Sequence, residues 1–269
     1  MQAITDVNAF IIDMDGVLWK ELTPMPGLTE FFSTLRAKSI PFILATNNAS
    51  LTQQQYVDKF KSMGVSITTD EVLTSSMATA LHLSEQVEPK STRLFVIGEE
   101  GLRAPLTDKG FTVVDTFEKN QPADFVICGL DRQLNWDKFV NASLHLNAGA
   151  NLIATNADTS LPTDRGRIPG VGAILAGLET ATNKKPDVIG KPEPTMYHLA
   201  IKILNVSPDK TIAIGDRLNT DILGACNAGI HSILVLSGIS CEEDLKSIDY
   251  QPTWIMQGIQ EITHALQTD

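Results

Sequence analysis

Short apolar runs bounded by polar turns recur along the chain and alternate with stretches of helical hydrophobic spacing. The runs Ala9–Asp13, Pro41–Thr46, Leu94–Ile97, Phe125–Cys128, Leu152–Ala154, Thr211–Ile214, Ser232–Leu236 and Thr253–Met256 read as strands buried on both faces. Helical spacing covers Gly27–Lys38, Thr52–Met63, Met77–Gln86 and Leu218–Ala228. Strands alternating with helices imply βαβ units. The expected fold class is therefore α/β, with a Rossmann-like, doubly wound parallel sheet as its core.

The punctuation of the chain suggests two domains. Lys/Pro-rich joints stand at Glu88-Pro89-Lys90 and Lys184-Lys185-Pro186. The stretch between them reads as an inserted α/β domain, residues 81–185, with residues 1–80 and 186–269 forming one core. The segment Asn156–Gly172 is rich in proline and glycine and reads as a long loop, either functional or disordered.

Composition narrows the class of protein. The 269 residues carry a net charge of −11, which disfavours binding to nucleic acid or to anionic lipid. No stretch of about 18 consecutive apolar residues is present to span a membrane, and no signal peptide is visible at the start. Cys128, Cys226 and Cys241 are scattered and read as reduced thiols, which points to the cytoplasm. The histidines at 82, 145, 198, 231 and 264 form no HExxH motif, and neither a Walker A loop nor a GxGxxG fingerprint occurs.

Four stretches at the ends of expected strands hold chemistry-bearing residues. Asp13-Met14-Asp15-Gly16 places two carboxylates beyond the first strand, where open parallel sheets bind ligands. Taken alone it also reads as a solvated turn. Thr46-Asn47-Asn48 offers a hydroxyl and backbone N–H groups for an anion, or simply a helix cap. Lys191, in Gly190-Lys191-Pro192, is a compact charge in a constrained loop, suited to a phosphate oxygen or to plain solvent. In Gly215-Asp216-Arg217-Leu218-Asn219-Thr220-Asp221, Asp221 falls in the first turn of a helix, where the dipole favours a carboxylate. Asp216 has no such structural reason. Trp19 reads as a core residue or as a gate beside the site.

The order of these stretches resembles the haloacid dehalogenase superfamily of phosphatases, whose four motifs appear as IIDMDG, LATNN, GKPEP and IGDRLNTD. The forms DMDGVLW and GDRLNTDI resemble the branch that contains the 4-nitrophenyl-phosphatase-like enzymes, which carries an α/β cap of the second type between the second and third motifs. The inserted domain would be that cap.

The resemblance implies an Mg²⁺-dependent phosphatase acting on a small-molecule phosphate ester. Asp13 would be the nucleophile and Asp15 the general acid and base. Thr46, Asn47 and Asn48 would hold the phosphoryl group, and Lys191 would neutralise its charge. Mg²⁺ would be bound by Asp13, the Asp15 carbonyl and Asp216, with Asp221 orienting Asp216 or Lys191. Asn156 and Asp158, in the cap, are candidate substrate contacts or parts of a structural Asx turn. Relatives that pair through their caps make a homodimer an expectation.

Other readings stay open. A dehalogenase would need neither Asp15 nor Asp216. A phosphomutase would need a helical cap between the first two motifs, where only about 30 residues are available. A catalytically idle phosphate sensor or scaffold would use the same residues for binding alone.

Overall fold

The structure is a computed structural model and describes residue 4 and residues 7–163 and 165–268. In chain order the strands are β1 (Ala9–Ile12), β2 (Trp19–Lys20), β3 (Thr23–Pro24), β4 (Phe42–Thr46), β5 (Val72–Thr74), β6 (Arg93–Ile97), β7 (Thr112–Val114), β8 (Phe125–Cys128), β9 (Asn151–Ala154), β10 (Ser160–Thr163), β11 (Gly166–Pro169), β12 (Asp187–Val188), β13 (Thr211–Gly215), β14 (His231–Val235) and β15 (Trp254–Met256). The α-helices are α1 (Leu28–Ala37), α2 (Gln53–Ser62), α3 (Ser75–Gln86), α4 (Glu100–Asp108), α5 (Trp136–Asn147), α6 (Val171–Thr182), α7 (Thr195–Leu204), α8 (Leu223–Ala228) and α9 (Ile259–Gln267).

The chain divides into two compact units, the first of residues 1–46, 53–73 and 191–269, the second of 47–52 and 74–190. The first unit is built on a six-stranded sheet in the order β15-β14-β13-β1-β4-β5. β1 runs parallel to both β13 and β4, and β14 runs parallel to both β13 and β15. The chain leaves β1 towards β4 and β5 on one side, then returns to β13 on the other. That reversal makes the β1/β13 boundary a topological switch point, where the crevice beyond the strand ends opens. β1 is buried along its whole length, as are β4 and β13, which explains their continuous apolar sequence.

On one face of this sheet an aromatic cluster fixes α1 and α2. Phe32 meets Phe42 at 5.1 Å and Phe31 and Phe60 at 5.5 Å between ring centroids, all edge-on. Edge-to-face contacts of this kind add to the energy of area burial.

The second unit contains a five-stranded parallel sheet in the order β12-β9-β8-β6-β7. α5 and α6 cover it through Leu146, Leu175 and Leu178, which pack with Val126, Cys128 and Leu152. The α/β class with parallel sheets is therefore as expected.

The segment Asn156–Gly172 corrects the expectation of an irregular loop. It holds the antiparallel hairpin β10–β11, with Leu161 paired to Ile168. Prolines 162 and 169 hide the strand signal, because proline within a run argues against a strand unless that strand lies at an edge. Leu218–Ala228 is helical as expected, but its first part, Leu218–Ile222, is a wider π-helical turn.

Phe32→Ala is expected to lower the stability of the first unit by about 3–5 kcal/mol, because it opens a cavity among three rings. Urea unfolding followed by circular dichroism should show the midpoint fall accordingly.

Candidate active site

Register decides which side chains meet at the switch point. Ile12 pairs with Ile214 across β1 and β13, and with Leu44 across β1 and β4. The next residues, Asp13, Gly215 and Ala45, therefore emerge together at one sheet edge. The N–H of Asp13 still donates to the Ile214 carbonyl at 2.8 Å, which fixes where its side chain begins.

Lys191 sits among these ends with only 3% of its side chain exposed. Its Nζ donates to Asp13 Oδ1 at 2.6 Å, to Asp221 Oδ1 at 2.6 Å and to the Ala45 carbonyl at 3.1 Å. Those bonds use the ammonium's three donors. Asp221 is equally committed, since its Oδ2 accepts from the Arg217 N–H at 3.1 Å. Gly215 makes this approach possible, because a Cβ there would lie 2.1 Å from the Asp221 Cβ.

Asp216 is arranged differently. Its Oδ2 accepts from the Ile239 N–H at 2.8 Å, and its backbone carbonyl accepts from the Ser240 N–H at 3.0 Å. Its Oδ1 is buried and has no hydrogen-bond partner. A buried, unpartnered carboxylate oxygen is costly and calls for a ligand. Ligand atoms of Asp13, Asp216 and Asp221 all lie within 4.8 Å of one another. Asp221 is already held by Lys191 and Arg217, so Asp216 and Asp13 are the better cation ligands. This donor set, all hard oxygen, fits Mg²⁺.

The charges are out of balance without a cation. Burial pushes the Asp13 carboxyl well above the usual range, and the Asp221 and Asp216 charges add to this, while Lys191 opposes it. Burial alone would lower the Lys191 ammonium, but Asp13 and Asp221 more than offset it and hold it up. Burial and then the Asp221 charge raise Asp216 to about 6. All three groups thus hold protons more tightly than they would in water.

Sequence-flagged residues lie in both units. Asp13, Lys191, Asp216 and Asp221 converge as described. Thr46 ends β4 and is buried in the first unit, and Asp15 is exposed beyond β1. The Asn47 carbonyl, in the second unit, accepts from Ser75 Oγ at 2.8 Å and from Asn156 Nδ2 at 2.9 Å. A trans peptide points its N–H opposite to its carbonyl, so these bonds aim the Asn48 N–H away from both donors. The side chain of Asn48 accepts from the N–H and hydroxyl of Ser50, at 2.9 and 2.6 Å. Asn156 Oδ1 accepts from the Asp158 N–H at 3.1 Å, so an Asx turn is present at this place.

Comparison with known proteins places the chain in a family. Residues 10–112 match the model of the haloacid dehalogenase-like hydrolases, and residues 188–262 match a second, HAD-hydrolase-like model. The 5′-nucleotidase YutF of Bacillus subtilis is 34% identical over 94% of this chain and 96% of its own length. The acid sugar phosphatase of Staphylococcus epidermidis is 36% identical over 92% of this chain and 93% of its own. The chain belongs to the haloacid dehalogenase-like hydrolases. Among solved structures, a 4-nitrophenylphosphatase from Thermotoga maritima matches with a TM-score of 0.91 and 34% identity, covering 99% of this chain and 100% of that one.

Within this hydrolase, one segment at the candidate site has no motif in the sequence. The loop after β14, Leu236–Ser240, wraps around Asp216. Ser237 Oγ donates to the Gly16 carbonyl at 2.8 Å, and Ser240 Oγ accepts from the Leu218 N–H at 3.1 Å. A Cβ on Gly238 would lie 2.0 Å from Asp216 Oδ2. The available signal was positional: Ser237-Gly238 follows an apolar strand, as the stretches at Asp13, Thr46 and Asp216 do.

Gly238→Ala should displace Asp216 and weaken Mg²⁺ binding by about 10- to 100-fold, read by titration calorimetry. A second expectation concerns pH. Asp216 has a folded-state pKa above its unfolded value of about 3.9, so its contribution to stability is full below that value and is lost as pH rises through about 6. In chelator, wild type should therefore lose melting temperature relative to Asp216→Asn over that interval. Saturating Mg²⁺ should remove the loss.

Proposed function

We propose that this hydrolase is an Mg²⁺-dependent phosphatase of small-molecule phosphate monoesters, working through an aspartyl-phosphate on Asp13. The observation that carries the reading is the buried Lys191 ammonium between Asp13 and Asp221, beside the unpartnered oxygen of Asp216. A carboxylate cannot approach a phosphate dianion unless positive charge stands between them. Lys191 supplies one such charge. Asp13, the Asp15 carbonyl and Asp216 would hold Mg²⁺, which supplies electrostatic stabilisation of the phosphoryl oxygens.

In the first step an oxygen of Asp13 bonds to phosphorus and the ester P–O bond breaks. Asp15 gives its proton to the departing alkoxide. In the second step Asp15 takes a proton from water, whose oxygen bonds to phosphorus. The bond to Asp13 then breaks, releasing phosphate and restoring the carboxylate. Thr46, with the backbone of Asn47 and Asn48, holds the phosphoryl oxygens. Lys191 follows their charge, and Asp221 holds Lys191 in place. Most of the acceleration then comes from positioning and electrostatics.

The second unit is the specificity domain in this reading. Asn156 and Asp158 are its candidate substrate contacts, and Asn156 also anchors the peptide that follows Asn47. The names of the two curated relatives put sugar phosphates and 5′-nucleotides first in a substrate panel scored by kcat/KM.

We also place the protein in the cytoplasm, in keeping with its free Cys128, Cys226 and Cys241. No helix among the described residues is long and apolar enough to cross a membrane. A homodimer through the second unit is supported by a stripe on α5. There Trp136 is 76% exposed, Leu144 42% and Val140 36%, at successive turns of one helix. Trp136→Glu should then convert a dimer into a monomer in light scattering.

Asp13→Asn should abolish hydrolysis of 4-nitrophenyl phosphate in Mg²⁺ while leaving the fold intact. A folded, metal-loaded wild type no faster than this variant would instead identify a phosphate-binding protein.

A further inference from the structure

A general acid must present its protonated oxygen to the leaving group, and an exposed aspartate is free to rotate away. Asp15 is exposed, so its orientation depends on the groups that bond to it. One of them is Trp19, which is completely buried although Asp15, only four positions earlier, is not. The Trp19 Nε1–H donates to Asp15 Oδ1 at 2.7 Å.

The indole is fixed by its surroundings. Phe60 meets it edge-on, with centroids 5.0 Å apart. Lys59 Nζ lies 3.9 Å from the ring centroid, over its face. The backbone joins the two residues as well, since the Gly16 N–H donates to the Trp19 carbonyl at 2.8 Å. Lys59 is half-buried, and its ammonium over the ring draws electron density from the indole, which makes its N–H a better donor.

We propose that Trp19 is a positioning residue for Asp15, assigning the catalytic proton to Oδ2. The indole nitrogen only donates, so Oδ1 must accept in both protonation states of the carboxyl group. A carbonyl oxygen accepts better than the hydroxyl oxygen of a protonated acid, so the proton that goes to the leaving group is carried by Oδ2. The same constraint fixes the rotation of the carboxyl group, so Oδ2 faces the same way when it later takes a proton from water. The bland alternative is that Asp15 merely satisfies a buried indole N–H, as buried tryptophans require.

The inference rests on the reading of Asp15 as general acid, and the test separates the two. kcat/KM reports the steps up to departure of the leaving group and excludes hydrolysis of the phosphoenzyme. It is measured for 4-nitrophenyl phosphate, whose leaving group departs as a stable anion, and for glycerol 3-phosphate, whose alkoxide needs a proton. Trp19→Phe removes the donor. Trp19→benzothienylalanine replaces the N–H by sulfur in a ring system of the same shape, so it keeps the packing if phenylalanine does not. Asp15→Asn is the control.

The ratio of alkyl to aryl kcat/KM should fall by about 10- to 100-fold in the Trp19 variants, and further in Asp15→Asn. Mg²⁺ affinity and melting temperature of the benzothienylalanine protein should match wild type. An unchanged ratio in that variant, or equal losses on both esters, overturns the role of Trp19. Equal losses on both esters in Asp15→Asn overturn the reading of Asp15 itself, whatever Trp19 does.

Discussion

The buried ion pair between Lys191 and the carboxylates of Asp13 and Asp221 is the interaction on which the site depends. Among the described residues, three carboxylates gather at the switch point with a single buried ammonium between them. Burying charge is costly unless it is paired and hydrogen-bonded. The protein accepts an arrangement that is incomplete by itself, with an oxygen of Asp216 buried and unpartnered. Such an arrangement is poor for stability and well suited to recruiting a divalent cation and a phosphoryl group.

The sheet makes this possible because it supplies rigidity without supplying the charges. β1, β4 and β13 are apolar and buried, and their register is fixed by backbone pairing. Polar residues begin where the strands stop. Side chains from distant parts of the chain can then be held within hydrogen-bond distance, which is what a preorganised electrostatic site requires. The loop after β14 completes the device, tying Asp216 to its own backbone and, through Ser237, to Gly16.

Much of this could be read along the chain. Continuous apolar runs gave the principal strands of both sheets, since a strand covered on both faces has no polar side to show. Asp13, Lys191, Asp216 and Asp221 stood out because each follows such a run or precedes a helix in a fixed order. Several short strands escaped notice. β7 and β12 contain too few residues to form a pattern, and the β10–β11 hairpin is masked by its prolines. The parts of the site that rely on backbone groups were also hidden, because an N–H looks the same at every position. The Ile239 and Ser240 amides that grip Asp216 have no sequence signature beyond a nearby glycine.

The amino-acid sequence by itself therefore determined the α/β class, the order of the motifs and the kinds of side chain available, all of which are local or periodic properties. Tertiary structure decided which oxygens are already taken. It showed that both oxygens of Asp221 are bonded, that one oxygen of Asp216 is not, and that the indole of Trp19 reaches Asp15. Those outcomes depend on strand register and on rotamers fixed by packing between residues as much as 178 positions apart. Hydrogen bonds need a specific distance and direction, and only the folded chain sets both.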